Sequence, residues 1–171
     1  MAILARPEAL SGDVLIRPAR PGEEDVVLDL LAAAAAWLRG RGVEQWPELF
    51  PAGSVRARID AGEALLAEEA GQPVATLVVA EEDRELWGAD AAPAYYVSRL
   101  AVVRHGVRLG HRVIDWVAAK AAARGVRHVR LATAADNPAL RRYYERAGFV
   151  HVADPPHARW PTSLYERTAV L

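Results

Sequence analysis

The sequence contains no cysteine and a single lysine, Lys120, against twenty arginines. Without cysteine the chain can form no disulfide, use no thiolate nucleophile and bind no metal through a thiolate. The single lysine restricts a lysine general base to position 120. We interpret the excess of arginine, like the abundance of alanine, as coding bias rather than as a sign of function.

Long apolar runs are also absent. No stretch approaches the ~20 apolar residues needed to span a bilayer, and the first residues, Met-Ala-Ile-Leu-Ala-Arg, lack the apolar segment of a signal peptide. The net charge is only -1, so bulk charge argues against nucleic acid as a partner. We therefore expect a soluble, cytoplasmic protein with neither a membrane nor a nucleic-acid partner.

The histidines do not form a metal-binding pattern. None of their spacings is the H-x-x-x-H of a helical zinc site. Surface or hydrogen-bonded histidines are the simpler interpretation, and we expect no metal. The five residues are His105, His111, His128, His151 and His157.

A length of 171 residues with 52% hydrophobic residues favours one domain. A chain of this size buries roughly 70% of the surface it exposes when unfolded, so a second core is not required. We predict a single domain over residues 1–171, of which 1–12 form a poorly ordered N-terminal extension.

Alternation and helical spacing predict the order βααβββαβαββ, a mixed α/β fold with one sheet. Gly71 separates two apolar runs and predicts a hairpin, whereas the polar stretch 82–93 predicts a connecting loop that is mobile or forms oligomers. The predicted strands are 14–18, 63–70, 72–81, 95–103, 126–133, 149–152 and 163–171. The predicted helices begin near residues 23, 54, 113 and 138.

The stretch from Asp136 to Phe149 predicts a capped helix. Asp136 or Asn137 can accept hydrogen bonds from the first amides, Pro138 suits the first turn, and Gly148 is placed to end the helix. Leu140, Tyr144 and Ala147 share one face, and Tyr143 lies about a quarter-turn away. On the residues alone, Tyr144 is most simply a core tyrosine.

The stretch from Tyr95 to Arg112 predicts a strand, a loop containing glycine and arginine, and then a helix. Such a junction directs backbone amides and the positive end of the helix dipole to one place. The sequence therefore predicts a phosphate-binding site at this junction.

Two segments of the chain resemble the GNAT superfamily of acyl-CoA-dependent N-acetyltransferases. Residues 137–149 match its pattern Asn-x-x-Ala-x-x-x-Tyr-x-x-x-Gly-Phe at Asn137, Tyr144, Gly148 and Phe149, with Leu140 where alanine is commoner. The element order over residues 14–171 is also similar. The implied fold is the GNAT acyl-CoA N-acyltransferase fold, in which the central strands splay apart.

The acyl-CoA loop departs from the GNAT pattern Gln/Arg-x-x-Gly-x-Gly/Ala. The same register places His105, Arg108 and Gly110 at the fixed positions, and the loop is about two residues shorter than usual. Arg108 replaces a glycine where backbone should approach the pyrophosphate. This change either lowers cofactor affinity or is offset by direct contacts from arginines.

The resemblance implies acetyl-CoA as the cofactor, with its pantetheine arm along the strand at Leu100, Ala101 and Val102. Amides from Gly106 to His111 would hold the pyrophosphate. The implied cofactor-binding residues are Leu100, Ala101, Val102, Arg104, Gly106, Val107, Arg108, Leu109, Gly110, His111, Arg112, Asn137 and Tyr144.

The resemblance also implies that Tyr144 is the catalytic residue. A neutral amine attacks the thioester, and Tyr144 protonates the leaving thiolate as a general acid. The general base stays open among Glu44, Glu81, Glu82 and His157, each of which is also readily explained as a solvated side chain. A strong base is unnecessary if the amine arrives neutral.

The acceptor is not readable from the sequence, so a small-molecule or peptide amine is expected. Aromatic residues at Trp46, Trp87, Tyr95 and Trp160 either line an acceptor pocket or pack in the core. Alternative functions are a non-catalytic GNAT-fold acyl-CoA sensor, an interaction protein, or transfer of another acyl group or to a hydroxyl. The resemblance also implies a homodimer, formed through final strands or sheet edges.

Overall fold

Apolar patterning places most helices and strands close to where the sequence analysis predicts them. The computed structural model describes residues 3–42, 44, 46, 50–89, 91–105 and 108–169. The strands are β1 (Glu8–Ser11), β2 (Val14–Pro18), β3 (Ala64–Glu69), β4 (Gln72–Ala80), β5 (Ala94–Val102), β6 (His128–Ala134), β7 (Val150–Ala153) and β8 (Thr162–Thr168). The helices are α1 (Glu24–Arg39), α2 (Ala52–Asp60), α3 (Arg84–Trp87), α4 (Leu109–Ala123) and α5 (Pro138–Arg146).

The chain divides into two compact units. The first contains Met1–Val79 and Arg99–Val113, and the second contains Ala80–Ser98 and Ile114–Leu171. Strand β5 and helix α4 therefore contribute residues to both units.

The first unit is built on antiparallel strands in the order β1-β2-β3-β4. One face of α1 supplies buried side chains at the spacing of an amphipathic helix, and α2 contributes Val55 and Ile59 to the same core. Leu66 of β3 and Ala101 of β5 belong to this core too. The α1 residues in this cluster are Val27, Leu30, Leu31 and Ala34.

The β3–β4 hairpin is confirmed, and its turn explains the tight connection. Ala70 and Gly71 both have positive φ, 51° and 77°. Two successive left-handed residues are the geometry of the two-residue turn whose twist matches the flanking strands.

The second unit combines parallel and antiparallel pairing. β5 pairs parallel with β6 over Ala94–Tyr96, and β8 pairs antiparallel with both β6 and β7. Parallel neighbours require a crossover connection, and α4 lies in the chain between β5 and β6. Mixed pairing, with helices between the strands, agrees with the predicted mixed α/β class.

Several features differ from the predicted order. β1 lies within residues 1–12, the predicted extension, and pairs with β2. α3 forms one turn inside the predicted 82–93 loop, where the side chain of Asp83 accepts from the amide of Leu86 at 3.2 Å. α4 begins at Leu109 rather than near Val113. The single-domain assignment stays a prediction.

Three predictions fall outside the described residues: the cofactor-binding roles of Gly106 and Val107, and the end of the last strand at residues 170–171. Among the described residues, no helix combines the length and apolar character that crossing a bilayer requires. In the same part of the chain, acidic and histidine side chains form no cluster of three that could hold a metal ion.

A buried arginine connects β2 to β3 and to the start of α1. The two terminal nitrogens of Arg17 each donate to one oxygen of Glu23 at 2.8 Å, and its Nε donates to Glu68 at 2.6 Å. The amide of Arg20 also donates to Glu23 at 2.7 Å. These hydrogen bonds from Arg17 are the main cause of the lowered pKa of Glu23, about 2 against an ordinary 4.5.

We predict that Glu23→Gln lowers the free energy of unfolding by about 1–3 kcal/mol at about pH 7, because it leaves the buried Arg17 charge without its bidentate partner. A carboxyl group with a lowered folded pKa stabilises the fold above its ordinary pKa of 4.5, and this contribution is lost as the pH falls toward 2. The difference between variant and wild type should therefore shrink at acid pH.

Urea denaturation at about pH 7 and about pH 3 measures this difference. The control is Glu82→Gln, which removes a pair with Arg84 whose side chains are 68% and 69% exposed. We expect little change from it, since exposed ion pairs contribute little. A Glu23→Gln variant as stable as wild type at neutral pH would contradict the assignment.

Candidate active site

Local interactions define both ends of α5. The Asn137 side chain accepts from the Leu140 amide at 3.1 Å, and Pro138 occupies the first turn. Gly148 has φ 94°, and the Phe149 amide donates to the Tyr144 carbonyl at 3.1 Å. The structure thus selects Asn137 over Asp136 as the cap.

Tyr144 lies on the buried face of α5, as its spacing predicts, and is 8% exposed. Its ring meets the rings of Tyr143 and Phe149 edge-on, with centroids 5.2 Å and 6.0 Å apart. No described residue forms a hydrogen bond with the Tyr144 hydroxyl. Burial, and secondarily the neighbouring Tyr143, raises the pKa of Tyr144, so its hydroxyl stays protonated at neutral pH.

A second tyrosine, missed by the sequence analysis, holds α5 against β8. The fully buried Tyr165 hydroxyl accepts from Nε of Arg141 at 2.9 Å and donates to Glu145 at 3.0 Å. At the helix end, Arg167 donates to the Ala147 carbonyl at 2.9 Å. The only sequence signal was the four-residue spacing of Arg141 and Glu145, which places both on one face.

The first unit contains the strand segment predicted to bind the pantetheine arm. Leu100 and Ala101 are buried and Val102 is half-buried. Just beyond β5, the Val103 amide donates to the Val74 carbonyl of β4 at 2.9 Å. The side chains of this segment pack in the core, so backbone groups are what it can offer to a ligand.

The N-terminus of α4 has the character expected of a pyrophosphate site. The amides of the first turn have no intrahelical acceptors, and this turn contains no acidic residue. Leu109 and Gly110 are buried, and the Arg112 amide bonds back to the Arg108 carbonyl at 3.1 Å. Gly106 and Val107 lie outside the described residues.

The three arginines predicted to contact the cofactor already have partners inside the first unit. Arg104 forms an ion pair with Glu69. Arg112 donates to the Ser11 hydroxyl at 2.7 Å, and Nη2 of Arg108 lies 3.4 Å from Nδ1 of His111. Direct binding of an anion by these arginines would therefore share or replace existing contacts.

Arg108 adopts the backbone conformation that favours glycine. Its φ is 55°, at the position where the GNAT pattern has glycine. A non-glycine residue in the left-handed region costs roughly 1–2 kcal/mol. The chain thus has a left-handed backbone at this position although the residue is not glycine.

None of the candidate bases is buried. Glu44, Glu81, Glu82 and His157 are all exposed. Glu82 pairs with Arg84 at 3.0 Å, and Nε2 of His157 lies 2.7 Å from the Glu85 carbonyl oxygen. Their surroundings resemble those of solvated side chains.

The four candidate pocket aromatics lie in different surroundings. Trp46 packs edge-on against Phe50 and the core around α1 and α2. In the second unit, Tyr95 is buried and its hydroxyl accepts from Arg124 at 3.1 Å, whereas Trp87 stacks with Arg130. Trp160 is 44% exposed and lines a surface cavity of about 440 Å³.

Comparison with known proteins decides the family. Residues 31–149, more than half of the chain, match the model of the acetyltransferase (GNAT) family. The chain is also 31% identical over 142 residues to YesJ of Bacillus subtilis, described as an uncharacterised N-acetyltransferase. This match covers 77% of this chain and 79% of the relative.

The chain belongs to the GNAT acetyltransferase family. A crystal structure of a GNAT family acetyltransferase from Listeria monocytogenes is similar with a TM-score of 0.79 and 26% identity, covering 95% of this chain and 99% of that one. The predicted GNAT fold and the enzyme class, a GNAT-type N-acetyltransferase, are therefore confirmed.

A more distant structure shares the fold. RimL, a ribosomal L7/L12 α-N-protein acetyltransferase solved in complex with coenzyme A, has a TM-score of 0.68 and 18% identity. The match covers 95% of this chain and 98% of RimL. At this identity the likeness shows the fold alone.

We predict that Arg108→Gly is more stable than Arg108→Ala by about 1 kcal/mol, because both remove the side chain and only glycine relieves the left-handed strain. Thermal or urea denaturation of the two variants measures the difference. Gly148 supplies the comparison, since Gly148→Ala at φ 94° should likewise destabilise. Equal stability of the two Arg108 variants would show that this backbone is unstrained.

Proposed function

We propose that this protein is an acetyl-CoA-dependent N-acetyltransferase that uses Tyr144 as its general acid. The observation that carries the proposal is the Tyr144 hydroxyl, which is held in the family motif without a hydrogen-bond partner among the described residues. A tyrosine hydroxyl that no described residue engages can donate a hydrogen bond, and then its proton, to a departing thiolate.

The residues present fit the cofactor. Backbone groups of Leu100, Ala101 and Val102 bind the pantetheine arm, and the first-turn amides of α4 bind the pyrophosphate. Arg104, Arg108 and Arg112 add positive charge nearby, and Asn137 orders the start of α5. The coenzyme A complex of the structurally similar RimL supports acyl-CoA as the ligand.

Acetyl-CoA supplies an activated acetyl group as a thioester. A backbone N–H of β5 polarises the thioester oxygen as negative charge develops on it. The neutral amine forms the new C–N bond, the C–S bond breaks, and Tyr144 donates its proton to the departing sulfur. The extra proton on the amine leaves to solvent.

Water receives that proton in this scheme. The candidate bases Glu44, Glu81, Glu82 and His157 are exposed, so each exchanges protons with solvent rather than with a closed site. An amine that binds in its neutral form needs no stronger base. The rate should accordingly rise with pH toward the pKa of the acceptor.

The acceptor in this proposal is the amine of a small molecule or a peptide. RimL acetylates a ribosomal protein, and a further structural neighbour is an aminoglycoside 6'-acetyltransferase, so both acceptor classes occur on this fold. Cytoplasmic location and a homodimer complete the proposal.

A second candidate function is a non-catalytic acyl-CoA sensor or interaction protein. Two observations favour it. Arg108 places a side chain where the family pattern has glycine, and Arg104 and Arg112 already have partners that compete with a pyrophosphate. Calorimetry with acetyl-CoA, followed by an amine panel, separates the two. Binding without acetylation supports the sensor, and absence of binding supports an interaction protein.

We predict that Tyr144→Phe lowers kcat by tenfold or more, since a positioned general acid typically contributes about 10²–10⁴-fold. Release of free coenzyme A thiol with an amine panel measures turnover. Acetyl-CoA affinity and the thermal midpoint should change little, because the phenyl ring keeps its contacts with Tyr143 and Phe149.

Tyr143→Phe is the matched control, since it removes the adjacent hydroxyl on the same helix. It should retain wild-type turnover. If Tyr144→Phe turns over as fast as wild type, Tyr144 is not the general acid.

A further inference from the structure

Arg99 occupies a strained position in the middle of β5. Its φ is 51°, in the left-handed region, although it lies within an otherwise extended strand. For a long side chain this conformation costs roughly 1–2 kcal/mol. Strain of this kind persists only where the surrounding structure holds the residue, and it is concentrated at functional sites.

The first unit holds the Arg99 guanidinium from two sides. Cζ of Arg99 lies 4.2 Å from the centre of the Phe50 ring, and Nη2 donates to the Ser54 hydroxyl at 2.6 Å. A guanidinium has five N–H donors. Among the described residues, the Ser54 hydroxyl accepts from one of them. The group is therefore oriented, and most of its donors form no hydrogen bond with the described residues.

Charge compensation distinguishes the half-buried Arg99 from the buried arginines. Arg17 pairs with Glu23 and Glu68, and Arg130 pairs with Glu166. No carboxylate among the described residues pairs with Arg99.

The charged group that acts on Arg99 is a second arginine. Burial, and secondarily the charge of Arg58, lowers the pKa of Arg99. Arg58 itself donates to Glu63 at 2.8 Å. A partly desolvated cation without a counterion is costly, so an anionic ligand would be stabilising here.

We propose that Arg99 binds the carboxylate of the acceptor, which makes the acceptor a small amine that also carries a carboxylate and an apolar group. The planar fork of an oriented guanidinium matches a carboxylate bidentately. Phe50 and Trp46, which pack against each other, offer an apolar surface beside it.

Arg99 directly precedes Leu100, Ala101 and Val102, the segment proposed to bind the pantetheine arm, so the bound acceptor would lie beside the thioester. This inference rests on the proposed acetyltransferase function. It adds a substrate class to that function and assigns a binding role to Arg99.

Calorimetry with a product pair tests the inference without requiring turnover. The probes are N-acetylphenylalanine and its carboxamide, which differ in the carboxylate and are titrated into the protein with and without coenzyme A. We expect the acid to bind at least about tenfold more tightly than the amide, as expected for a charge-assisted bidentate pair.

Arg99→Met should abolish this preference while its stem still covers Phe50. The control is Arg56→Met on α2, the helix that carries Ser54; the Arg56 side chain is 61% exposed and pairs with Glu24 at 3.4 Å. It should keep the preference. If Arg99→Met does not fold, Arg99→Lys replaces it and should reduce the preference, since lysine keeps the charge and loses the fork.

Three results would overturn the inference: equal binding of acid and amide, binding of neither probe, or an unchanged preference when Arg99 is replaced. Acetyl-CoA binding and acetylation are measured in parallel. A protein that prefers the acid but never binds acetyl-CoA contradicts the proposed function and retains the carboxylate site. One that acetylates amines without preferring the acid contradicts only the role of Arg99.

Discussion

Two arginines in the left-handed backbone region constrain the segment on which the proposed chemistry depends. Arg99 lies immediately before the proposed pantetheine-binding residues of β5, and Arg108 lies immediately before α4. Each conformation opposes the intrinsic preference of a long side chain. The hydrogen bond and ring contact of Arg99 hold one end. Helix α4, which starts after Arg108, holds the other end of the segment. The strained residues therefore flank the segment proposed to bind the ligand.

Burial of Tyr144 affects its proposed role in two opposite ways. The raised pKa keeps the proton on the hydroxyl over the physiological range, which a general acid requires. It also widens the gap to a departing thiolate, whose pKa is near 8.5. In the proposed mechanism, a hydrogen bond from Tyr144 would stabilise the charge that develops on sulfur before the proton moves.

Local signals made α5 and the β3–β4 hairpin predictable. Asn137, Pro138 and Gly148 act within a few residues of each other, and Gly71 lies between two apolar runs. β1 and α3 are too short for periodicity to reveal them. The apolar stripe from Val113 onward concealed the earlier start of α4 at Leu109.

Pairs such as Arg104 with Glu69, or Arg112 with Ser11, join residues far apart in the chain, which patterns of spacing do not encode. The left-handed backbone at Arg108 was not predicted, since the residue type argues against that conformation.

Trp37 on α1 is partly exposed and contacts two side chains of the same unit. Its ring stacks on His105 with centroids 3.6 Å apart and nearly parallel planes, and Cζ of Arg41 lies 3.8 Å from the ring centre. Burial, and secondarily Arg41, lowers the pKa of His105, so the stacked imidazole is neutral at physiological pH. Indole emission is sensitive to the ionisation and distance of such a neighbour. Trp37, one of five tryptophans in the chain, thereby contributes to the intrinsic fluorescence a component that responds to the segment entering α4.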